Sequence, residues 1–568
     1  MKFLPSQLSF FVRDRHARTH LGALWKYLLF LFTVVLIFSI GFHVIMARYE
    51  GQDHSWLTGF YWTLTVMSTL GFGDITFHTD IGRLFSIVVL LSGILLLLIV
   101  LPFVFIRSFY APWLEARIRT SVPRKLPEDT QNHVVICQND ESTPALVRQL
   151  VFHEIPYVIL EEDADVAVRM KDEGLSVLCG DVDNPVSYRN ARVSQARLVL
   201  ANASDTTNTN IVLTVRSVDR KVPVIALADD VDSVDILELS GANRALPLKH
   251  LLGQHLAARV SVGVGKPHEV GRFHDLIIVE FLVRHTSLSG KTLRETELRQ
   301  TTGISVIGVW SGGILRSVTP DYRLTDQCVP VAIGSREQIA CMSELLDVGD
   351  SKSHEVLVIG GGKVGSSTAH ALRERGVRVT ILDQDEDLRS SIEGECDQVE
   401  IGNAADRAVL SRAGIEKANA VALTTSDDGV NIHLTVYCRR LRPDLGIVSR
   451  ISRERNIDAT YRAGADYILG YGSLFREYVM AYLFDREPML IGEGADFFSL
   501  DVPKSIAGKT LAESGIGART GLTVLAIEES HQAQTRLAAD TRLNPNAKIL
   551  MLGTVEQREQ FEKTYSRG

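Results

Sequence analysis

The sequence predicts an α-helical two-span membrane unit with a short re-entrant helix, followed by two tandem α/β Rossmann-like domains, each closed by a small α+β C-terminal lobe. Three observations predict this. Two uncharged apolar runs of membrane length stand near the N-terminus, the remainder of the 568 residues repeats itself at an offset of about 220, and each repeat opens as strands alternating with amphipathic helices. A net charge of -8 offers no basic face, so no nucleic-acid partner is expected. The six cysteines, Cys137, Cys179, Cys328, Cys341, Cys396 and Cys438, form no CxxC pair and no regular spacing, which predicts buried reduced thiols.

The first run, Tyr27 to Ala47, is "YLLFLFTVVLIFSIGFHVIMA", and the second, Leu84 to Ile106, is "LFSIVVLLSGILLLLIVLPFVFI". Each is long enough to cross a hydrocarbon core of about 30 Å at 1.5 Å per residue. Lys2, Arg13, Arg15, Arg18 and Lys26 precede the first, and Arg107, Arg117, Arg119, Arg124 and Lys125 follow the second. The positive-inside rule therefore places both termini in the cytoplasm, with residues 1–23 as an N-terminal segment, 24–110 in the membrane and 111–130 as a polar connection. Hydropathy alone reads as a simple anchor.

The segment between the spans, "WLTGFYWTLTVMSTLGFGD", argues for more. Thr58 to Met67 is apolar but too short to cross, which suits a re-entrant helix buried in protein. In the following "TLGFGD", Gly71 and Gly73 alternate with larger residues, and glycine tolerates backbone conformations that L-residues avoid. Successive carbonyls can then face one way, and four copies around an axis would replace the hydration shell of a monovalent cation. A GxG alone reads as a turn between helices. Thr69, Asp74, the short helix and the two flanking spans favour the ion-lining reading.

"TLGFGD", in the order span, pore helix, filter, span, resembles the TVGYGD signature of two-transmembrane potassium channels. The resemblance implies a homotetramer in the lipid of the cell inner (plasma) membrane, with potassium ions in the filter. Thr69 would supply a hydroxyl and a carbonyl, Leu70, Gly71 and Phe72 would supply carbonyls, and Gly73 and Asp74 would form the outer mouth. Leu70 stands for the usual valine, and Phe72 for the tyrosine whose hydroxyl braces the family's filter. Only backbone faces the ion at those positions, so potassium selectivity is expected and filter rigidity is left open. In the same family Gly93 reads as a hinge, or as a small packing residue, in the second span. Leu95 to Leu98, with Leu97 among them, reads as a hydrophobic constriction or as lipid packing, and Pro102 as a kink. No arginine-repeat span is present, so steep voltage sensing is not expected.

The repeat is read from "SGKTLRETELRQTTGISVIGV" (Ser289 onward) with "AGKTLAESGIGARTGLTVLAI" (Ala507 onward), and from "CGDVDN" (Cys179 onward) with "IGNAAD" (Ile401 onward). It defines a first domain at 131–348 (nucleotide-fold lobe 131–270, C-lobe 271–348) and a second at 349–568 (lobe 353–494, C-lobe 495–568). The region resembles tandem RCK domains, the regulators of potassium conductance, over about three-quarters of the chain.

In the second copy, "VLVIGGGKVGSS" sets Gly360, Gly362 and Gly365 between a strand and a helix, and Asp383 closes the next strand 18 residues beyond Gly365. This is the dinucleotide fingerprint: a tight turn, close pyrophosphate approach to a helix N-terminus including Val364, and a carboxylate for a ribose. Lys363 is a candidate phosphate partner, and Asn403 and Thr424 at later strand ends are candidates for the adenosine side. NAD or another adenine nucleotide is the expected ligand; a nucleotide fold that keeps its glycines for packing is the alternative. The first copy has "CQNDESTP" at the equivalent loop, without glycine, so no dinucleotide is expected there. Its acidic run at Asp229, Asp230 and Asp232 could bind calcium through oxygens, or form a solvated acidic face. The combined expectation is a ligand-gated potassium channel rather than an enzyme, with a membrane-anchored NAD-linked oxidoreductase or a non-conducting nucleotide sensor as the alternatives.

Overall fold

Gly51, at φ 67°, ends the first span and turns the chain back into the membrane unit. The computed structural model describes residues 15–107, 122–260, 267–273, 276–281, 283, 286–311, 314–316, 318–325, 328–346, 354–490, 496–529, 532–534 and 537–565. Most of the predicted N-terminal segment, 1–14, and most of the predicted connection, 111–121, lie outside the described residues. By its contacts the chain divides into two compact units, 1–123 with 163–174, and 124–162 with 175–568.

In the first unit, α1 (Arg15–Ile45) continues into a π-helical turn at Met46–Glu50. Helix α2 (Trp56–Met67) begins two residues before the predicted start, because the Ser55 side chain caps it by accepting from Thr58 N. Helix α3 (Asp80–Gly93) is capped by Thr79, and Glu50 Oε1 accepts from Thr79 N and Oγ1 at 2.8 Å and from His78 N at 2.9 Å. One carboxylate thus ties the C-terminal end of the first span to the start of the second. Phe42, Phe77 and Phe85 surround Trp62 at ring-centroid distances of 5.0, 5.2 and 5.9 Å. Spans Leu24–Glu50 and Asp80–Phe105 keep most other side chains exposed and apolar, as lipid-facing helices require. The second span is segmented: a π-helical turn at Ile94–Val100 separates α3 from α4 (Leu101–Phe105). Pro102, without an N–H, starts the last segment, and Tyr27 Oη donates to the carbonyl of Leu96 inside the turn.

In the second unit, β1 (Val134–Ile136), β2 (Tyr157–Glu161), β3 (Val177–Cys179), β4 (Leu198–Ala201), β5 (Val224–Leu227) and β6 (Arg244–Leu246) form a parallel sheet of order 3-2-1-4-5-6. Helix α5 (Thr143–Phe152) follows β1, and α6 (Leu248–Val260) leads out of the sheet. The first C-lobe is a sheet of β7 (His268–Phe273), β8 (Leu276–Glu280), β9 (Ser305–Ser311), β10 (Ile314–Arg316) and β11 (Val329–Gly334). The second copy repeats the plan with β12 (Glu355–Ile359), β13 (Arg378–Asp383), β14 (Gln398–Ile401), β15 (Ala420–Leu423), β16 (Gly446–Ile451) and β17 (Tyr467–Gly470), in order 14-13-12-15-16-17. Helix α7 (Lys363–Glu374) follows β12 and α8 (Tyr471–Leu483) leads out. Its C-lobe pairs β18 (Asp496–Asp501), β21 (Lys548–Gly553), β19 (Thr523–Glu529) and β20 (Gln532–Gln534), in that order, and carries α9 (Val555–Tyr565). Both strand orders are the doubly wound arrangement that the alternating pattern predicts. The two C-lobes share small devices as well: capping boxes at Thr292/Glu295 and Thr510/Glu513, and matching bridges Thr292 to Arg323 and Thr510 to Arg542.

The thiols depart from expectation in part. Cys137, Cys328, Cys396 and Cys438 are buried, and burial pushes Cys137 and Cys438 up to about 12, but Cys179 is half-buried and Cys341 exposed. The nucleotide folds are bound to each other by α6 lying on α7, where a β-carbon at Gly253 would fall 2.6 Å from Ser367 Cβ and 2.8 Å from the Val364 carbonyl. Beside it, buried Arg259 lies 3.6 Å from buried Glu280, donates to the Leu490 carbonyl at 2.7 Å and covers the Tyr467 ring at 4.7 Å. Glu280 also accepts from Trp310 Nε1 at 3.0 Å. Gly253→Val should therefore cost about 1–3 kcal/mol, from overpacking against backbone atoms that cannot swing aside. A lowered thermal unfolding midpoint of the purified chain is the expected readout, and an unchanged midpoint would contradict this packing.

Candidate functional site

After α2, the backbone of Thr69, Gly71 and Gly73 is left-handed, at φ 61°, 47° and 75°. Left-handed residues at every second position are what allow successive carbonyls to share a side. The amides of Thr69, Leu70 and Gly71 turn back onto α2, donating to Val66 O at 3.0 Å and to Thr65 O at 2.9 and 3.2 Å. Glycine adopts this conformation at no steric cost, whereas a β-branched Thr69 in it costs of order 1–3 kcal/mol, strain typical of functional backbone. Leu70 and Phe72 are largely exposed in the single chain.

The bracing that Phe72 cannot supply comes from elsewhere. Tyr61 Oη, on α2, donates to Asp74 Oδ2 at 2.9 Å, Trp62 Nε1 donates to the Ile75 carbonyl at 3.2 Å, and the Tyr61 and Phe72 rings lie parallel 6.4 Å apart. A β-carbon on Gly93 would fall 2.3 Å from Met67 Cα, so the second span packs here against the end of α2. The π-helical turn begins immediately after Gly93 and contains Leu97; Pro102 lies beyond it in α4.

The glycine loop of the second copy borders a cavity of about 1110 Å³ whose lining includes Gly360, Gly362, Lys363, Val364, Asp383, Asn403 and Thr424. Gly360 has φ 106°, and a β-carbon on Gly365 would stand 1.7 Å from the Gly360 carbonyl, so the third glycine is fixed by helix–strand packing. At Gly362 the space around a β-carbon is open, and α7 begins there without a side-chain cap, leaving its first amides directed at the cavity side. Thr424 Oγ1 donates to the carbonyls of Gly360 at 2.8 Å and Ile359 at 3.0 Å, and Asp383 Oδ2 accepts from Gly361 N at 2.5 Å. Asn403 Oδ1 accepts from Ala405 N at 2.9 Å, holding its own turn.

Two features escaped the sequence. Lys363 Nζ lies 2.7 Å from Asp230 of the first copy, which raises the lysine pKa mainly through that hydrogen bond. Lys249, from α6 of the first copy, also lines the cavity and lies 2.5 Å from Asp229. Two of the proposed calcium ligands are thus engaged with lysines, while Asp205 accepts from the amides of Asp229 and Asp230. Among the described residues no group of three or more His, Cys, Asp or Glu side chains is arranged to hold a metal ion. Arg450, at the end of β16, is a further missed lining residue; burial lowers its pKa, and a basic residue at a strand end was its available signal. In the first copy the equivalent helix start is satisfied internally: Asp140 Oδ1 accepts from Ser142 N at 3.0 Å, Thr143 N at 2.8 Å and both hydroxyls.

A glycine-alternating loop between two apolar spans, followed in sequence by tandem nucleotide folds, is the arrangement of channel subunits that carry RCK domains. Residues 29–108 match an ion channel family, 134–247 and 356–470 the TrkA-N domain, and 498–565 the TrkA-C domain. The chain is 34% identical to the solved structure described as the GsuK channel bound to NAD, covering 97% of this chain and 100% of that one with a TM-score of 0.56. It is 25% identical to potassium channel protein 1 of Methanocaldococcus jannaschii, over 54% of this chain and 93% of that protein. It is 23% identical to the calcium-gated potassium channel TvoK of Thermoplasma volcanium, over 50% of this chain and 76% of that protein. The chain belongs to the family of potassium channels with RCK domains.

The second and third glycines of the fingerprint make a direct test of this geometry. Gly365→Ala should cost about 2–4 kcal/mol, because the methyl meets a backbone carbonyl, whereas Gly362→Ala, facing open space, should cost under about 1 kcal/mol. Denaturant unfolding of both variants ranks them, and equal costs would refute the assignment.

Proposed function

We propose that four copies of this chain form a potassium-selective channel in the cell inner membrane, with both termini cytoplasmic, gated by an adenine nucleotide such as NAD at the second RCK domain. The observation that carries the pore reading is the left-handed backbone at Thr69, Gly71 and Gly73, braced by Tyr61 and Trp62. Four such segments around one axis supply stacked oxygens in place of the hydration shell of potassium. The relative bound to NAD and the glycine loop that fits a pyrophosphate support the ligand reading.

In this scheme the free amides at the start of α7 and Lys363 hold the phosphates, Asp383 faces the ribose, and Asn403 and Thr424 border the adenosine side. Lys363 then exchanges Asp230 for phosphate, loosening a contact between the two nucleotide folds of one subunit. Eight such lobes make a ring under the pore. Ligand moves that ring only by binding one of its conformations more tightly. The change reaches the second spans through the 111–130 connection, and the π-helical turn holding Leu97, between Gly93 and Pro102, is where the pore narrows or widens. Calcium is a second candidate effector, supported by the calcium-gated relative, and at Asp229, Asp230 and Asp232 it would have to displace Lys249 and Lys363. The lobes act here as sensors and not as oxidoreductases.

Gly73→Ala should abolish potassium flux into liposomes while the protein still assembles; undiminished flux would remove the filter assignment. Asp383→Ala and Lys363→Met should each weaken NAD binding, measured by calorimetry, about ten-fold or more, as loss of one hydrogen bond to a charged group or of one charge predicts. Unaltered affinity in both would place the ligand elsewhere.

A further inference from the structure

A second cavity, of about 770 Å³, shares no lining residue with the glycine-loop pocket. Its size is that of small-molecule sites. Its walls come from all four lobes of the cytoplasmic unit: the end of α5 with His153, strand β7 with Arg272, helix α8 with the turn after it, and the second C-lobe.

Its chemistry is cationic. Arg272, Arg476, Arg486, Lys548 and Arg558 line it with the carboxylates Glu477, Asp485 and Glu487, while Glu269 and Glu562 pair with Arg272 and Arg558 from outside the lining. Arg272, Arg486 and Arg558 are held in place before any ligand arrives, Arg272 by donating from Nε to Glu269 Oε1 at 2.5 Å. Arg558, almost wholly buried, lies between the faces of Phe152 and Phe498, at 3.3 and 4.8 Å from the ring centroids, with Nε 3.3 Å from Glu562. Arg486 forks onto both oxygens of Glu477, whose Oε1 also accepts from Met489 N at 2.7 Å. Glu477 is therefore part of the wall, while Asp485 and Glu487 sit exposed on the turn after α8. His153 on the opposite wall is pulled down to about 4, by burial first and then by Arg558, Arg486 and Arg197, so it stays neutral near pH 7 and adds no repulsion among the guanidiniums. Phe484 and Phe497 complete an apolar border.

A pocket of fixed guanidiniums with aromatic sides suits a planar or oxygen-rich anion, because guanidinium forks match phosphate and stack on flat groups. The geometry points to a second effector site here, for a small phosphorylated organic molecule carrying at least two negative charges. Because four lobes contribute walls, such a ligand would set their mutual angle independently of the glycine loop, which makes it a separate input to the same ring.

The test uses the full-length purified chain, with inorganic pyrophosphate and phenyl phosphate as probes in calorimetry, in the absence and presence of saturating NAD. Arg272→Glu and Lys548→Glu change exposed side chains and should leave the fold intact; each should weaken both probes at least ten-fold. Lys417→Glu, outside the cavity, should leave them unchanged. Pyrophosphate binding that survives saturating NAD and is lost in the two cavity variants supports the site, whether or not NAD itself binds. Absence of binding, complete competition by NAD, or indifference to both cavity substitutions would overturn it.

Discussion

A backbone amide or carbonyl removed from water must find a partner, and where the protein supplies none a ligand can. That constraint organises this chain from the pore to its last lobe. In the filter segment the amides of residues 69 to 71 are satisfied by carbonyls of the pore helix, so what remains unpaired is a row of carbonyl oxygens. In the second span the π-helical turn disturbs the regular ladder and Pro102 removes a donor, yet Tyr27 reaches across to Leu96. Glu50 collects two amides and a hydroxyl where the second span starts. Under the proposed pore reading, the carbonyls of residues 69 to 73 are the oxygens left for a cation.

The same accounting separates the two copies of the duplicated domain. Both present a helix N-terminus at the carboxyl end of their first strand, the place where this fold leaves amides without intrahelical partners. In the first copy Asp140 accepts from those amides and the loop is complete without a ligand. In the second copy no side chain caps α7, Gly365 lets the helix approach the strand, and Thr424 pins the loop from below. A charged residue in one copy closes its helix start internally, whereas the glycine turn in the other leaves its helix start without a side-chain cap.

Much of this was legible in the sequence, because the features are local. Membrane-length apolar runs, alternating glycines and a strand–loop–helix with glycines at fixed spacing each carry their geometry within a dozen residues. The features that escaped are those in which distant segments meet or a residue acts against its own preference. Nothing marked Thr69 as left-handed, since a β-branched residue avoids that region. Tyr61 and Trp62 read as apolar helix residues, and only the fold turns them into braces for Asp74 and Ile75. The acidic run at Asp229 and Asp230 reads as a solvated face or a cation site, but folding brings Lys249 and Lys363 against it. A pattern within one segment cannot announce its partner in another domain.

Those two lysine pairs also indicate how a modest chemical event could move a large ring. The Arg259–Glu280 pair is fully buried, and breaking it would leave a charge without compensation, so that junction is suited to hold rather than to switch. The Lys363–Asp230 pair is about half exposed on both sides, where such contacts contribute about 0–1 kcal/mol. A charge-assisted hydrogen bond from the same ammonium to phosphate contributes about 1.5–3 kcal/mol. Under the proposed scheme, exchanging one for the other in only one lobe arrangement would favour that arrangement by about 1.4 kcal/mol, a factor of ten in each subunit. In a tetramer moving as one body, four such contributions reach about 5.5 kcal/mol, the difference that carries a two-state equilibrium from 1:99 to 99:1. Strong gating then needs no strong contact anywhere: a weak pair that ligand can replace, repeated by symmetry, is sufficient, while a strong pair at the same position would oppose the ligand it is meant to sense.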